Sequence, residues 1–455
     1  MKVETRGSRL IEKFARRLPF YYGWVVAGVV FVTMAICVNA RTAFSLLFPP
    51  ILDEFGWERG VTAGAFSFGF IVSAVMSPLL GRLMDRRGPR FVMEVGVAAT
   101  AAGLLLATYA GQPWHIYLTL GLLVGAGTTF TGYTGQALFL PNWFVRRRGL
   151  AMSIAFAGVG FGSIVMLPAL QTFVERNGWR AGCMLLGVLA LVVLVPLNLL
   201  LRRRPEELGL APDGDANTPA AAQARRVNVV DPAWAAIDWT LARAMRTARF
   251  WWIAVAYFGA LFSWYAVQVH QTQYLIETGF DAQQAAWALG AVSLAGVPGQ
   301  IALGWLSDRV GREIVWAIGS AGFCITYAAL LALPLHPGVP LLYTIVIAQG
   351  ALGYGLTSVI GAIPAEIFEG KHYGPIFGTL MLGALAGGAV GPWFMGFVHD
   401  RTGVRDLASF ARQRAGGRGA GAGSAGVRPR QASAGRGRSR GPLQQPSIRM
   451  GLTGC

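Results

Sequence analysis

The stretch Gly81-Arg82-Leu83-Met84-Asp85-Arg86-Arg87-Gly88 returns later in the chain as Gly304-Trp305-Leu306-Ser307-Asp308-Arg309-Val310-Gly311. Asp308 lies 223 positions after Asp85, and both copies read G-x-L-x-D-R-x-G. Each copy sits between two apolar segments of helix length. A charged hairpin bounded by glycine and repeated between such segments marks two homologous halves. Two halves with a site between them are the usual build of a secondary transporter. A second pair supports the duplication: Arg146-Arg147-Arg148-Gly149 and Lys371-His372-Tyr373-Gly374, with Gly374 following Gly149 by 225 positions.

The composition agrees with a membrane protein. Of 455 residues, 54% are hydrophobic and 13% are charged, against roughly a quarter charged in soluble domains. The apolar residues run in blocks of about 20 or more, enough to cross a hydrocarbon core of about 30 Å as helix. They do not alternate with polar residues, which excludes a β-barrel pattern. The hydropathy predicts eleven spans, at about 21–48, 62–80, 91–110, 115–138, 149–170, 181–201, 250–274, 285–303, 314–334, 340–362 and 374–397. The fold class is therefore an all-α polytopic membrane protein of two pseudo-symmetric six-helix lobes, with the twelfth helix missing. The first apolar run is too long for a cleavable signal, so the protein is expected to stay embedded in the bilayer.

Basic residues set the orientation. The N-terminal stretch and the even-numbered loops carry 24 Lys and Arg, against 3 (Arg59, Arg176 and Arg180) in the odd-numbered loops up to residue 400. This places the N-terminus and the even loops in the cytoplasm and the protein in the cytoplasmic membrane, as a multi-pass protein. The expected organisation is a cytoplasmic N-terminus (1–20), an N-lobe (21–201), a cytoplasmic linker (202–248), a C-lobe (249–404) and a basic tail (405–455). Of the net charge of +17, the part from residue 401 onward supplies +10. The remainder is ordinary for a positive-inside membrane protein, so the high pI requires no nucleic-acid partner. Cys37, Cys183 and Cys324 lie in spans and Cys455 is terminal, with no metal-like spacing. No disulfide, metal or cofactor is expected.

Arg41 is the one Arg or Lys well inside an apolar run of residues 1–400. A central Arg costs about 2.5–3.5 kcal/mol on insertion scales and so usually faces a cavity. Two readings stand for it: a carboxylate-binding residue, or an anchor that snorkels to the outer surface. His270, with Tyr265, Gln268, Gln271 and Gln273 nearby, gives the seventh span a polar outer half. It is either the carrier of a coupled proton or a structural histidine. Gly158 and Gly162 in span five, and Gly383, Gly387 and Gly391 in span eleven, are spaced for close helix approach. They read as static packing or as smooth faces for sliding.

With these residues in view, the chain resembles the major facilitator superfamily. Its loop signature matches G-x-L-x-D-R-x-G. Within the superfamily the chain is similar to the bacterial monocarboxylate transporter and oxalate/formate antiporter group. The similarity rests on Tyr22-Gly23-Trp24, Phe55-Gly56-Trp57, Pro205-Glu206-Glu207-Leu208-Gly209-Leu210, Pro212-Asp213-Gly214, Gly391-Pro392 and His399-Asp400-Arg401-Thr402-Gly403. The resemblance implies that Asp85, Arg86, Gly88 and their counterparts Asp308, Arg309 and Gly311 form a gate. In it the acidic residues pair with an arginine of their own loop or of a neighbouring helix. The competing reading is a turn motif alone. The resemblance also implies that helices one, four, seven and ten line the cavity, which adds Tyr133, Gln136, Gln349, Tyr354 and Thr357 to Arg41, Gln268 and His270 as wall residues. The monocarboxylate transporters carry a cation close to the position of Arg41. Glu94 and Glu366 are either solvated or part of the latch. One departure counts against a dicarboxylate and leaves proton coupling without its usual acidic partner: residues 285–303 and 374–397 hold no charged side chain, where the resemblance implies an Asp and an Arg in helix eight of monocarboxylate carriers and basic residues in helices eight and eleven of oxalate carriers.

The expected function is therefore a monomeric secondary carrier for a small organic anion, a monocarboxylate first, coupled to a proton or to an exchanged anion. The alternatives are a carrier or efflux pump for a neutral or lipophilic solute, a transporter-like receptor, and an inactive truncated carrier. No nucleophile–base pair or phosphate-cradling loop points to an enzyme. The last alternative comes from the tail. Residues 411–455 are dominated by Arg, Gly, Ala, Ser and Pro and lack an apolar run able to cross the bilayer. They are expected to be disordered. Their composition is what an out-of-frame reading of a GC-rich gene would give, in place of a twelfth helix. The other reading is a native basic tail that binds anionic lipid or a partner.

Overall fold

The structure, a computed structural model, describes residues 15, 17–57, 59–214, 232–235, 237–336, 338–368, 370 and 372–402. The basic tail, the middle of the linker and Lys371 lie outside these residues. Every regular element among the described residues is helical. Helix α1 is Gly23–Phe55. A continuous stretch, Arg59–Ala107, contains α2 (59–87) and α3 (89–107). Helix α4 covers 113–137 in pieces, with a π-helical turn at Tyr117–Leu123 and an extended residue at Gly132. The stretch Arg148–Asn198 contains α5 (148–177) and α6 (179–198). Then follow α7 (Ala248–Glu277), α8 (Ala282–Val310), α9 (Arg312–Ala332), α10 (Val339–Ile367) and α11 (Tyr373–Thr402).

Eight helical stretches among the described residues are long and apolar enough to cross a membrane. The hydropathy count of eleven is larger for a physical reason. Two of the eight run on through a sharp turn, at Gly88 (φ 77°) and at Gly178 (φ 82°). Helix α4 is interrupted and is not among the eight. The last glycine of each repeated loop is the residue that makes the turn possible. Gly88 and Gly311 both have positive φ, 77° and 103°, a region that strains any residue with a Cβ. Pro89 then opens α3, where its missing N–H costs nothing.

Helix α1 runs past its expected end at 48. Pro49 and Pro50 stand inside it, and Gly56 at φ 63° ends it with its N–H on the Leu52 carbonyl. Intramembrane helices tolerate proline where neighbours satisfy the freed groups. Beyond the prolines, Glu54 is held by Trp179 and by both oxygens' contacts to Arg180 Nη1, at 2.6 and 2.5 Å.

The apolar core explains how the helices are joined. At the end that carries the basic loops, one cluster takes Val26, Val30 and Met34 from α1, Leu80 and Met84 from α2, Met152 and Phe156 from α5, Tyr257 from α7 and Phe377 and Leu380 from α11. It crosses from the first six helices to the last five. At the opposite end the cores are separate. One joins Leu47, Leu104, Leu120, Val174 and Leu186, and the other joins Leu275, Ala288, Ala329, Leu333 and Ile345. The two halves are therefore fused at the basic end and individually packed at the other, and the helices cluster as one compact unit.

The small-residue faces lie within halves. A Cβ at Gly158 or Gly162 would meet the carbonyls of Phe31 or Ala35 on α1. At Gly383, Gly387 and Gly391 it would meet those of Ala254, Phe258 and Phe262 on α7, each again four residues apart. Spans α5 on α1 and α11 on α7 thus repeat one packing. Both faces pack a helix against another helix of its own half.

Candidate functional site

The two sequence repeats meet each other, crosswise. Gly81, first residue of the first loop motif, lies against Gly374 at the start of α11, so that a Cβ on either would strike the other's carbonyl. Gly304, first residue of the second copy, lies in the same way against Gly149 and Ser153 at the start of α5. Each motif aspartate then caps the helix that faces it from the other half. The Gly374 N–H donates to Asp85 Oδ2 at 3.1 Å. The N–H groups of Gly149 and Leu150 donate to Asp308 Oδ1 and Oδ2 at 2.8 and 2.9 Å. The first N–H groups of a helix have no partner of their own and carry partial positive charge, so a carboxylate is their favoured acceptor.

Arginines complete each cap, and they differ between halves. Arg203, just after α6, donates from Nη2 to Asp85 Oδ1 (2.9 Å) and from Nη1 to the Asp85 carbonyl (2.7 Å). Arg312, first residue of α9, donates from Nη1 to Asp308 Oδ1 (2.5 Å) and to Ser307 Oγ (2.6 Å). Its Nε and Nη2 donate to Glu366 Oε1 at 3.1 and 3.0 Å, and buried Arg148 reaches the same oxygen at 3.8 Å. The arginines inside the motif are not the partners. Arg309 lies over the Trp305 ring, 3.6 Å from its centroid, and Arg86 is exposed. Residues i and i+1 of a helix point to different sides, which turns Arg86 and Arg309 away from the contact.

Arg41 occupies a different place, near the middle of α1. Its guanidinium turns inward. Nη1 donates to Ser73 Oγ at 3.2 Å, and the group stacks over Phe70 at 3.7 Å, with Phe66 at 5.6 Å. Nη2 is buried and has no hydrogen-bond partner. Among the described residues no Asp or Glu forms an ion pair with it. Arg41 also lines a small pocket with Ala40, Phe44, Leu47, Phe66, Gly69, Leu120 and Val124, residues of α1, α2 and α4. Its free volume holds about one water molecule. From the other half, Tyr265 of α7 packs edge-on against Phe70 at 5.5 Å.

The other candidates divide. Tyr133 of α4 packs edge-on against Phe156 at 5.1 Å. Tyr354 packs against Trp264, whose indole N–H donates to Gln268 Oε1 at 2.6 Å. Gln349 is buried, with Oε1 unpartnered, and so is Gln271, with both amide atoms unpartnered. The extended Gly132 breaks α4 just before Gln136, whose Nε2 donates back to the Thr131 carbonyl at 2.8 Å and faces Met93 on α3, while its Oε1 is buried and unpartnered. His270 Nε2 donates to the Pro392 carbonyl of α11 at 2.9 Å, which places it in packing inside the second half.

Comparison with known proteins places this arrangement. Residues 29–281 and 253–408 match the profile of the Major Facilitator Superfamily. The chain belongs to the major facilitator superfamily. It is a multi-pass membrane transporter of that superfamily and not an enzyme. It is similar to monocarboxylate transporter 13 of Bos taurus, 28% identical over 383 residues that cover 84% of each chain. Monocarboxylate transporter 11 of Mus musculus is 29% identical over 398 residues, covering 84% of this chain and 82% of that one. An uncharacterised superfamily transporter of Escherichia coli, YhjX, is 28% identical over 333 residues, 72% of this chain and 76% of its own. Among solved structures, the superfamily transporter FucP in its outward conformation shares the fold, with TM-score 0.59 at 15% identity over 86% of this chain and 98% of that one.

For a superfamily transporter, the residues that sequence reading missed are Arg203, Arg312 and Arg148. Arg312 carried a signal, since it directly follows the motif's last glycine. Glu366 was named only as one of two options, and the structure puts it in the network; Glu94 instead pairs with Arg90 at 3.2 Å.

Proposed function

We propose that this transporter carries a small monocarboxylate across the cytoplasmic membrane by rocking its two lobes, residues 21–201 and 249–404, about a site at Arg41. One observation carries the reading: a buried guanidinium nitrogen with no partner. A buried polar group of this kind costs free energy until something occupies it, and a carboxylate is the ligand whose charge and geometry suit it. The resting partners of Arg41 are a neutral serine and two aromatic rings, which a carboxylate can outcompete. A single cation suits a single carboxylate, and α8 and α11 offer no second one over 285–303 and 374–397.

The topology belongs to the same proposal: eleven crossings, with the N-terminus and the basic loops in the cytoplasm. The fused core then closes the cytoplasmic side. The crossed caps of Asp85 and Asp308 are the gate that holds it shut, each breaking when the lobes rock. His270 is the proposed carrier of a coupled proton. Its Nε2 is engaged on the Pro392 carbonyl, which leaves Nδ1 without a hydrogen bond to that helix. A second reading, a neutral solute, draws support from the unpartnered amides of Gln271 and Gln349. Uptake into proteoliposomes separates the two. A panel of monocarboxylates of two to six carbons and their primary amides should show uptake of acids alone. Uptake of the amides at equal rates refutes the anion site.

A further inference from the structure

The Pro212-Asp213-Gly214 turn contains the only non-glycine residue of positive φ among the described residues, Asp213 at φ 60°. Aspartate tolerates this conformation better than most residues, but at a cost, and such strain persists only where surrounding contacts hold it. The contacts here are specific. Asp213 Oδ2 accepts from the N–H groups of Val145 (3.0 Å) and Arg146 (2.9 Å), and the Asp213 N–H donates to the Trp143 carbonyl (3.0 Å). The same loop is pinned again by the segment that leaves α6. Asn142 Nδ2 donates to the Arg203 carbonyl (3.3 Å) and Trp143 Nε1 to the Arg202 carbonyl (3.1 Å).

This loop runs directly into α5, whose first N–H groups, on Gly149 and Leu150, are capped by Asp308 from the other half. The backbone from 145 to 150 is therefore held by two carboxylates, Asp213 on one side and Asp308 on the other. The equivalent loop before α11 is clasped as well, by the far end of the linker. Trp234 Nε1 donates to the Ile367 carbonyl (2.8 Å), and Trp239 packs edge-on against Phe368 at 5.3 Å. Each loop that receives a motif aspartate is thus fixed by a linker segment of its own half.

We infer that Asp213 is a positioning residue of the gate: by fixing the 145–147 loop it holds the Gly149 and Leu150 amides in register for Asp308. The inference rests on the rocking movement proposed above. Because the halves also meet at Asp85 and Gly374, a rigid rocking that breaks one cap breaks the other. Loosening Asp213 therefore reaches Gly374, which it does not touch.

Amide hydrogen exchange on the full chain in nanodiscs, read at residue level, tests this without reading transport, so a failed gate inference and a failed carrier reading give different results. Asp213→Gly keeps the backbone conformation and removes the carboxylate. Asp213→Asn keeps the shape with a neutral acceptor. In both, Val145 and Arg146 exchange faster. The inference expects Gly149, Leu150 and Gly374 to accelerate too, by about tenfold in Asp213→Gly and less in Asp213→Asn, with the amides of 92–104 in α3 unchanged. Acceleration confined to Val145 and Arg146 overturns it and makes Asp213 a local turn residue. Should Asp213→Gly fail to fold, Asp213→Asn carries the same comparison.

Discussion

Replacing Asp308 by Asn should open the end that carries the basic loops, and the size of the effect follows from the contacts. Asp308 accepts from two partly buried backbone N–H groups and from Arg312. An asparagine has one acceptor oxygen. Its NH2 group must face either a backbone N–H or the guanidinium, both donors. Hydrogen bonds to charged groups contribute about 1.5–3 kcal/mol each, and an unsatisfied buried donor costs about 1–3 kcal/mol. In the open state the carboxylate regains water and Arg312 keeps Glu366, so part of this cancels. We take about 2–4 kcal/mol as the net loss of the closed state, about 30- to 1,000-fold in its population at 1.4 kcal/mol per tenfold. Asp85 holds one backbone N–H and the more exposed Arg203. Asp85→Asn should therefore cost less, about 1–2 kcal/mol or 5- to 30-fold. Ser153 is buried against Gly304 in the contact between halves. As Ser153→Cys, in a background with Cys37, Cys183, Cys324 and Cys455 replaced, it should react with a membrane-impermeant maleimide only when that contact opens. Its labelling rate should rise in Asp308→Asn and rise less in Asp85→Asn. An unchanged rate in Asp308→Asn, or a larger effect at Asp85, would refute the reasoning.

Gly81→Val places side-chain carbon on the Gly374 carbonyl. It should abolish uptake and speed labelling at position 153 while lowering Tm little. Gly387→Val meets Phe258 within one half, so it should leave labelling unchanged and lower stability by about 1–3 kcal/mol, as overpacking does, a fall in Tm of about 2–12 °C. His270→Gln should uncouple uptake from an imposed proton gradient while leaving exchange of solute for solute intact. Uptake still driven by that gradient would leave His270 with its hydrogen bond to Pro392 alone.

What was legible in the sequence was whatever the duplication wrote twice. The loop around Asp85 and Asp308 and the basic stretches before Gly149 and Gly374 could be read because each occurs in both halves. Their crossed contact could not, since it depends on how the halves face each other. The arginine on Asp85 followed the same limit, since Arg203 lies 118 positions away, whereas Arg312 stands four residues after Asp308. The inward turn of Arg41 was unreadable because the stretch before it, Gly23–Thr33, is apolar on all sides and gives no helical phase. The turn of the Gln136 amide toward α3 was unreadable for a local reason, the extended Gly132 that interrupts α4. The end of α1 was set too early because Pro49, Pro50, Asp53 and Glu54 resemble a terminus. In the fold, Arg180 and Trp179 satisfy Glu54 and let the helix continue to Phe55.

The role of Arg41 is tested most directly by equilibrium binding. Calorimetric titration of the purified transporter with the best monocarboxylate of the uptake panel should give one site. In Arg41→Ala, the loss of a charge-assisted contact of about 1.5–3 kcal/mol should weaken it about 10- to 150-fold, with Arg41→Lys in between and thermal stability in the absence of ligand retained. Equal affinity in wild type and Arg41→Ala would contradict the anion site at Arg41.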